Sequence, residues 1–367
     1  MSAELSERDL ALVGGLVAIP SVSRNESDAV EWLVARMAER GFRASIDAAG
    51  NAVGEIGSGP IHVVLLGHID TVPGDIPVRI EDGELVGRGA VDAKGPLAAF
   101  VAAATEPPNG VRITVVGAVE EESPTSKGAR YRATLPAPDW CVIGEPSGWD
   151  GVTVGYKGRL VLGVSLARDA RHGAAPGPTC AEEALALWER VGAAAEARTP
   201  HDGGARGLDR RGFDRLDCRL EGMHAVAGDG LVERAELRIG YRIPPGIATA
   251  DLEAEVAVLA AEHDGEAVAT VVTVAAEEPA RAPRSTELAR AFAGAIAGVG
   301  GRPAFRVKSG TSDMNVLLPA WACPMVAYGP GDARYDHTPI ERLSLEDYAR
   351  AILVLRGVLD RAGKQVA

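Results

Sequence analysis

Histidine and carboxylate side chains stand at several places where a polar group directly follows an apolar run. His68 and Asp70 follow Val63-Val64-Leu65-Leu66 and are two residues apart, so on an extended segment they point the same way. Asp92 lies in the loop Gly89-Ala90-Val91-Asp92-Ala93-Lys94-Gly95, and Glu120-Glu121-Glu122 follow the apolar run 111–116. Glu145 follows the run 140–143, and His337 sits in Asp336-His337-Thr338-Pro339. Two histidines with three or more carboxylates form a borderline-hard ligand set that suits Zn2+, with Co2+ or Mn2+ as alternatives. Two such ions about 4 Å apart share a water, lower its pKa towards ~7 and clamp a tetrahedral intermediate. A hydrolase of this kind also needs a carboxylate base that is not a ligand. One glutamate of the triple run can supply it.

These groups need a scaffold that brings separate strand ends together. In open α/β sheets, ligand sites gather just beyond the carboxyl ends of the strands. The run 61–66, stopped by Gly67, reads as a buried parallel strand, and 111–116 and 140–143 read the same way. Ser27-Asp28 opens a helical pattern through Val30, Leu33, Val34 and Met37 that Gly41 stops, and Pro96 stands at the start of an Ala-rich helix. The tail resumes this style with a helix over 286–297, a strand over 325–327 and a last helix opened by Ser344. Strands alternating with helices predict a doubly wound α/β layer. The middle differs: from 152 to 274 the order is strand, helix (181–195), strand, strand (235–241), helix (251–262), strand. That is the β-α-β-β-α-β order of a ferredoxin-like unit. The expected organisation is a dinuclear-metal catalytic domain over 1–152 and 276–367, interrupted by an inserted domain over 153–275.

Composition narrows the class. The 367 residues are 46% hydrophobic and 24% charged, which fits a globular protein and excludes a disordered chain. A net charge of −13 argues against a nucleic-acid partner, which calls for a basic face. Cys141, Cys180, Cys218 and Cys323 are scattered without CxxC spacing and read as reduced thiols of a cytoplasmic protein. No apolar run is long enough to span a membrane, and Glu4, Glu7, Arg8 and Asp9 are unlike the basic start of a signal peptide. A serine-hydrolase GxSxG elbow, a P-loop and a dinucleotide-binding Gly-x-Gly-x-x-Gly turn are all missing. Lysine occurs five times against 33 arginines, so Lys94, Lys127, Lys157 and Lys308, each beside a Gly or Ser signal, mark positions where a compact ammonium matters.

In order, His68-x-Asp70, the 89–95 loop, the Glu run, Glu145 and His337 resemble the M20 metallopeptidases. That clan includes carboxypeptidases, aminoacylases, acetylornithine deacetylases and succinyl-diaminopimelate desuccinylases. The resemblance spans both halves and the inserted segment. It implies a zinc-peptidase-like catalytic domain with a ferredoxin-like lid that also forms a homodimer, and two divalent metal ions. His68 and Glu145 would bind one ion and Glu122 and His337 the other, with Asp92 bridging; Asp70 would hydrogen-bond His68 and Glu121 would be the general base. The family pattern, an acidic residue before Glu-Glu with a Gly shortly after, fits this register if Gly128 is that Gly. A register one residue earlier would place Glu120 and Glu121 in these roles. His172, in Arg171-His172-Gly173-Ala174-Ala175-Pro176, matches the lid histidine that donates to the partner subunit's oxyanion in relatives, although the segment departs from the commoner Gly-x-x-x-His-Ser form. Arg242, in Tyr241-Arg242-Ile243-Pro244-Pro245, matches the arginine at the end of a lid strand that holds a substrate carboxylate.

Further motifs resemble one branch of the clan, the hydrolases that release lysine or ornithine from the amino-group carrier protein LysW. They are Gly67-His68-Ile69-Asp70-Thr71-Val72-Pro73-Gly74, Glu120 to Gly128, Gly144-Glu145-Pro146-Ser147-Gly148-Trp149, Gly155-Tyr156-Lys157-Gly158 and Ser309-Gly310-Thr311-Ser312-Asp313-Met314-Asn315. The resemblance implies hydrolysis of an amide on the γ-carboxyl of the carrier's C-terminal glutamate, in lysine or arginine biosynthesis, with Gly310 and Thr311 contacting substrate. A small-molecule N-acyl amino acid deacylase of the same clan is the alternative, because the metal site is common to both. Arg206, Arg210, Arg211, Arg215 and Arg219 read either as a docking surface for an acidic carrier or as partners of Asp209, Asp214 and Asp217. Among the other histidines, His62 reads as packed, and His201, His224 and His263 as solvated. Gly155 to Gly158 reads as a hairpin or as a substrate contact.

Overall fold

The apolar run at 61–66 becomes the strand Ile61–His68, which lies between the parallel strands Val111–Ala118 and Trp140–Gly144. Its residues Val63 to Leu66 are fully buried, with alternate side chains on opposite faces, so both faces of the sheet are covered. The structure is a computed structural model that describes residues 5–172, 175–198, 210–226 and 230–364, and the chain divides into two units.

The first unit comprises Met1–Gly155, Ala282–Val307 and Ser312–Ala367. Across its sheet the strands run Arg43–Ile46, Ala52–Gly57, Val111–Ala118, Ile61–His68, Trp140–Gly144, Met325–Ala327 and Gly151–Tyr156. The middle four are parallel and the pairs at either margin antiparallel. The helix Lys94–Ala104 is buried at every residue and, after Lys94, apolar on every side, as expected for a helix enclosed by other elements. Phe100 packs with Val63, Leu65, Phe292 and Leu355 in one core, where truncating Leu65 to Ala costs about 2–5 kcal/mol. The close approach depends on small residues. A Cβ on Gly144 would stand 2.9 Å from the Cα of Gly67 and 2.9 Å from Phe100.

The helix expected to open at Ser27-Asp28 runs Ser27–Glu39, with Glu26 at the cap position. Glu26 leaves its own helix end uncapped and instead accepts the backbone N–H of Glu120 at 3.1 Å. The final helix, Leu345–Gly363, is capped by Ser344, whose hydroxyl accepts from the Asp347 N–H at 3.2 Å. A second, three-stranded sheet of Arg79–Glu81, Glu84–Val86 and Arg342–Ser344 was not foreseen, because strands of three residues carry no readable alternation.

The second unit comprises Tyr156–Arg281 with Lys308–Thr311. Its antiparallel sheet is ordered Asp217–Val226, Val232–Ile243, Gly158–Asp169, Val268–Glu277. With helices Cys180–Ala197 and Thr249–Ala261, the chain order is β-α-β-β-α-β. Leu160, Leu162, Val164, Leu187, Val191, Leu252 and Val256 form its own core. Gly155 to Gly158 is not a hairpin: Gly151–Tyr156 pairs in the first sheet and Gly158–Asp169 in the second. Lys157 between them is fully buried, its ammonium donating to the carbonyl of Arg215 at 2.6 Å and to Asp217 at 2.7 Å. Among the described residues, no helix is long and apolar enough to cross a membrane.

Candidate metal centre

Three neighbouring parallel strands deliver most of the site. His68 ends its strand, the Glu run follows Val111–Ala118, and Glu145 follows Trp140–Gly144, all at the carboxyl edge. Asp92 comes from the loop before helix Lys94–Ala104, with the Asp92–Ala93 peptide cis. His337 follows the 3-10 turn Ala333–Tyr335. Asp92 stands between the two histidines: Oδ1 lies 3.0 Å from Nε2 of His68, and Oδ2 lies 3.0 Å from Nε2 of His337. His337 Nε2 is also 2.8 Å from Oε1 of Glu122.

The ligand atoms gather in three groups, each within 4.8 Å: His68, Asp92 and Glu145; Asp92, Glu122 and His337; and His68, Glu121 and Glu122. Two of these groups share Asp92, one oxygen facing each histidine. This set of imidazoles and hard oxygens fits a pair of divalent cations.

Asp70 sits behind the site with no exposure. Its Oδ1 accepts the N–H of Glu121 at 3.1 Å, and Oδ2 accepts from the Glu122 N–H at 3.0 Å and the Ser23 hydroxyl at 2.7 Å. Nδ1 of His68 donates to the backbone carbonyl of Asp70 at 2.9 Å and lies 3.5 Å from its Oδ1. Burial alone would raise the Asp70 carboxyl, but hydrogen bonds from His68, Ser23 and Glu122 outweigh it and hold it below the usual range. Glu120 turns elsewhere. It adopts a left-handed backbone, φ 61°, and its carboxylate meets the Thr125 hydroxyl at 2.5 Å, Lys127 at 3.7 Å and Arg24 at 3.9 Å.

Electrostatically the cluster is crowded with acid. Burial holds the Glu121 carboxyl well above the ordinary carboxylate range; His68 offsets part of this, and Asp313, Glu145 and Glu122 add to it. Hydrogen bonds to Asp92 and then Glu122 raise His337 to about 10. Glu122 is nevertheless raised as well, because its burial outweighs the His337 hydrogen bond. Burial lowers His68, but its hydrogen bonds with Asp70 and Asp92 prevail and lift it well above 6.5. So many carboxylates in low dielectric call for positive charge.

Other residues of the site were not foreseen. Glu341, fully buried, accepts the backbone N–H of Val91 and of Asp92. Asp313, 2% exposed at the start of helix Asp313–Trp321, is pushed up by burial to about 7. Asn51 holds the end of a site strand by accepting the Val119 N–H at 3.0 Å. Only Asp313 fell inside a motif that had drawn attention.

The remaining expected residues belong to the second unit. His172 is exposed there, and Gly310 and Thr311 lie in its segment Lys308–Thr311. Arg242 stands opposite Asp217 on one side and Arg159 on the other, with its Nη1 buried and unpartnered among the described residues. Burial and Arg159 lower its pKa. Arg206, His201 and Asp209 lie outside the described residues, as do the side chains of Arg210 and Arg211. Arg215 lies 3.8 Å from Asp217, and Asp214 lies 3.6 Å from Arg281. His224 is exposed as expected, but His263 is not solvated: it is half-buried, 3.5 Å from Glu183. His62 is half-buried against the Thr114 hydroxyl at 2.9 Å.

A mixed α/β sheet with a histidine–carboxylate cluster at its carboxyl edge defines the class, that of the metal-dependent hydrolases. Residues 64–361 match Peptidase family M20/M25/M40, and the chain belongs to that family. It is 47% identical over 356 residues to the [LysW]-lysine hydrolase of Deinococcus radiodurans, covering 95% of this chain and 96% of that protein. Two solved structures share the fold. An M20 family metallo-carboxypeptidase from Sulfolobus solfataricus has a TM-score of 0.77 at 17% identity, covering 98% of this chain and 100% of that one. A dinuclear metal-binding M20 peptidase from Bacillus subtilis has a TM-score of 0.71 at 13% identity, covering 96% and 97%.

Proposed function

We propose that the chain is an amide hydrolase that frees L-lysine, or L-ornithine, from the γ-carboxyl of the C-terminal glutamate of the carrier protein LysW. The chemistry is supported by one observation above all, Asp92 with an oxygen 3.0 Å from each of two histidines. The substrate is supported by the likeness to the Deinococcus radiodurans hydrolase. In this reading His68 and Glu145 would hold one divalent ion and Glu122 and His337 the other, with Asp92 as the bridging residue. Zn2+ is our choice, with Co2+ or Mn2+ as substitutes. When bound, the ions lower the pKa of water and polarise the amide carbonyl.

The chain's own residues do the rest. Glu121, close to the ligands and held high in pKa, accepts the proton of the attacking water and passes it to the leaving α-amine of lysine. Asp70 orients His68 through its backbone carbonyl, which accepts from Nδ1 at 2.9 Å, and its carboxylate spaces the Glu run through the N–H groups of Glu121 and Glu122. In the second unit, Arg242, whose Nη1 has no partner among the described residues, holds a substrate carboxylate, Gly310 and Thr311 contact the substrate, and His172 donates to the oxyanion of a partner subunit in a homodimer. We read 153–275 as the lid and dimerisation domain and the protein as cytoplasmic.

The test is kcat/KM of the metal-loaded protein on carrier-linked lysine, carrier-linked ornithine, N-acetyl-lysine and N-acetylornithine, with Glu121→Gln as the blank. A strong preference for the carrier conjugates supports the proposal. Equal or better turnover of the acetyl compounds replaces it with a small-molecule deacylase.

A further inference from the structure

Asp92 lies in a loop between the strand Glu84–Val86 and the helix Lys94–Ala104, so no strand partner sets where its backbone stands. Backbone bonds from Ala90 to Gly87 and from Lys94 to Gly89 fold the loop, and one buried side chain takes the N–H groups of Val91 and Asp92. Oε1 of Glu341 accepts the N–H of Val91 at 2.9 Å and of Asp92 at 3.1 Å. Its other oxygen accepts Nη1 of Arg88 at 2.8 Å, and Nε of Arg88 donates to the carbonyl of Gly74 at 3.0 Å. Glu341 has no solvent exposure. A carboxylate so placed persists only when its lone pairs are met, and here three donors meet them.

The short second sheet explains how a residue some 250 positions away arrives there. Arg342–Ser344 pairs antiparallel with Glu84–Val86, in the register Arg342 opposite Val86. The residue just before Arg342 therefore meets the residue just after Val86: the N–H of Gly87 donates to the carbonyl of Glu341 at 3.3 Å. From that point the Glu341 side chain reaches along the loop to Val91 and Asp92. In the other direction, His337 stands four residues before Glu341. Leu343, in the strand Arg342–Ser344, is fully buried, and a Cβ on Gly95 would come within 2.7 Å of it. The two loops that carry Asp92 and His337 are thus tied to each other.

We propose that Glu341 is a positioning residue for the dinuclear centre, fixing the backbone of Asp92 so that its two oxygens face the two histidines. The inference rests on the reading of Asp92 as the bridge. It differs from the part assigned to Asp70, which stands against a ligand ring, because Glu341 reaches the centre through the peptide N–H groups of the bridging loop. Glu341→Gln retains size but offers one oxygen where two serve, so either Arg88 or the pair of N–H groups loses its acceptor.

The test measures binding of the two ions to the metal-free protein by titration with Co2+, following the visible absorption of the bound ion, in the wild type, Glu341→Gln, Asp92→Asn and the double variant. We expect Glu341→Gln to weaken the second ion about 10- to 100-fold and to change the Co2+ spectrum. In the Asp92→Asn background the same change should add nothing, because the group it acts through is already gone. Full additivity, or unchanged second-ion affinity in Glu341→Gln, overturns the inference. Two tight ions in Asp92→Asn instead overturn the bridging reading itself. Leu343→Ala loosens the same sheet without touching those N–H groups and should lower the melting temperature while leaving second-ion affinity in place; if it weakens the second ion as much as Glu341→Gln does, Glu341 is only a structural brace. Should Glu341→Gln fail to fold, Glu341→Asp carries the same measurement, since it keeps the charge but draws it back from the loop.

Discussion

The carboxylate of Asp70 accepts the backbone N–H of Glu121 at 3.1 Å. The same group accepts from Glu122, and the backbone carbonyl of Asp70 accepts from Nδ1 of His68 at 2.9 Å, so one buried residue sets the distance between the strand-end histidine and the acidic run. Asp70→Asn puts an amide N–H2 where an acceptor served, so at least one of these contacts fails. Metal affinity or kcat should fall about 10- to 100-fold with KM little changed. Titration of the ions and steady-state kinetics would show it. An unaltered enzyme would reduce Asp70 to a packing residue.

The triple glutamate offers a sharper division. Glu121→Gln should retain two ions per chain and lose about 10²–10⁴ in rate, the usual contribution of a general base. Glu122→Gln should instead lose one ion. Glu120→Gln should do neither, since its carboxylate already meets Thr125, Lys127 and Arg24. Metal analysis of the three purified variants decides among them. Ion loss in Glu121→Gln with two ions in Glu122→Gln would move the register by one.

How much of this could be read in advance follows from what each residue depends on. His68, Glu145 and the Glu run were legible because a buried parallel strand writes itself as an unbroken apolar run, and the first polar residue beyond it marks the sheet's carboxyl edge. The β-α-β-β-α-β order was legible for a similar reason, each element being ten residues or more. Glu341 was not, since its position comes from pairing between strands of three residues. His263 looked like a turn residue because its partner, Glu183, lies on another helix. That Glu120 leaves the cluster depends on a left-handed backbone at an ordinary residue, which no local signal announces.

Gly128 marks a close approach with a measurable cost. A Cβ there would stand 2.3 Å from Oδ1 of Asn51 and 2.6 Å from the backbone nitrogen of Val119, whose N–H donates to that oxygen just before the Glu run. Gly128→Ala must displace one of them, and overpacking of this kind costs about 1–3 kcal/mol. Urea denaturation should show that loss, together with weaker metal binding as Glu121 and Glu122 shift.

His62 supplies a pH dependence away from the metal centre. Burial, with help from Arg112, lowers it from 6.5 to about 4. The unfolded chain therefore binds the extra proton between those values, so the stability His62 contributes is complete above pH 6.5 and is lost as the pH falls towards 4. The ring is partly exposed, and after discounting for solvent screening the loss is about 1–2 kcal/mol. Urea unfolding of the metal-free protein at pH 7 and pH 4.5 should show the wild type losing that much more than His62→Gln. Equal losses would mean that the ring titrates normally.

Arg215 and Arg219 decide whether the second unit receives a protein or only a small molecule. The 3.8 Å separation of Arg215 and Asp217 makes a surface pair worth little, which leaves its charge available to an acidic partner, and Arg219, on the strand Asp217–Val226 that follows, is exposed. Charge complementarity acts mainly on encounter and on salt dependence. Reversing both, Arg215→Glu with Arg219→Glu, should raise KM for carrier-linked lysine about 3- to 10-fold at low ionic strength, and the difference should shrink as salt screens it. N-acetyl-lysine has no protein to dock, so its KM should be unchanged. A rise for both substrates alike would point to disturbance of the nearby Arg242 and would end the docking idea, leaving these arginines as ordinary surface charge.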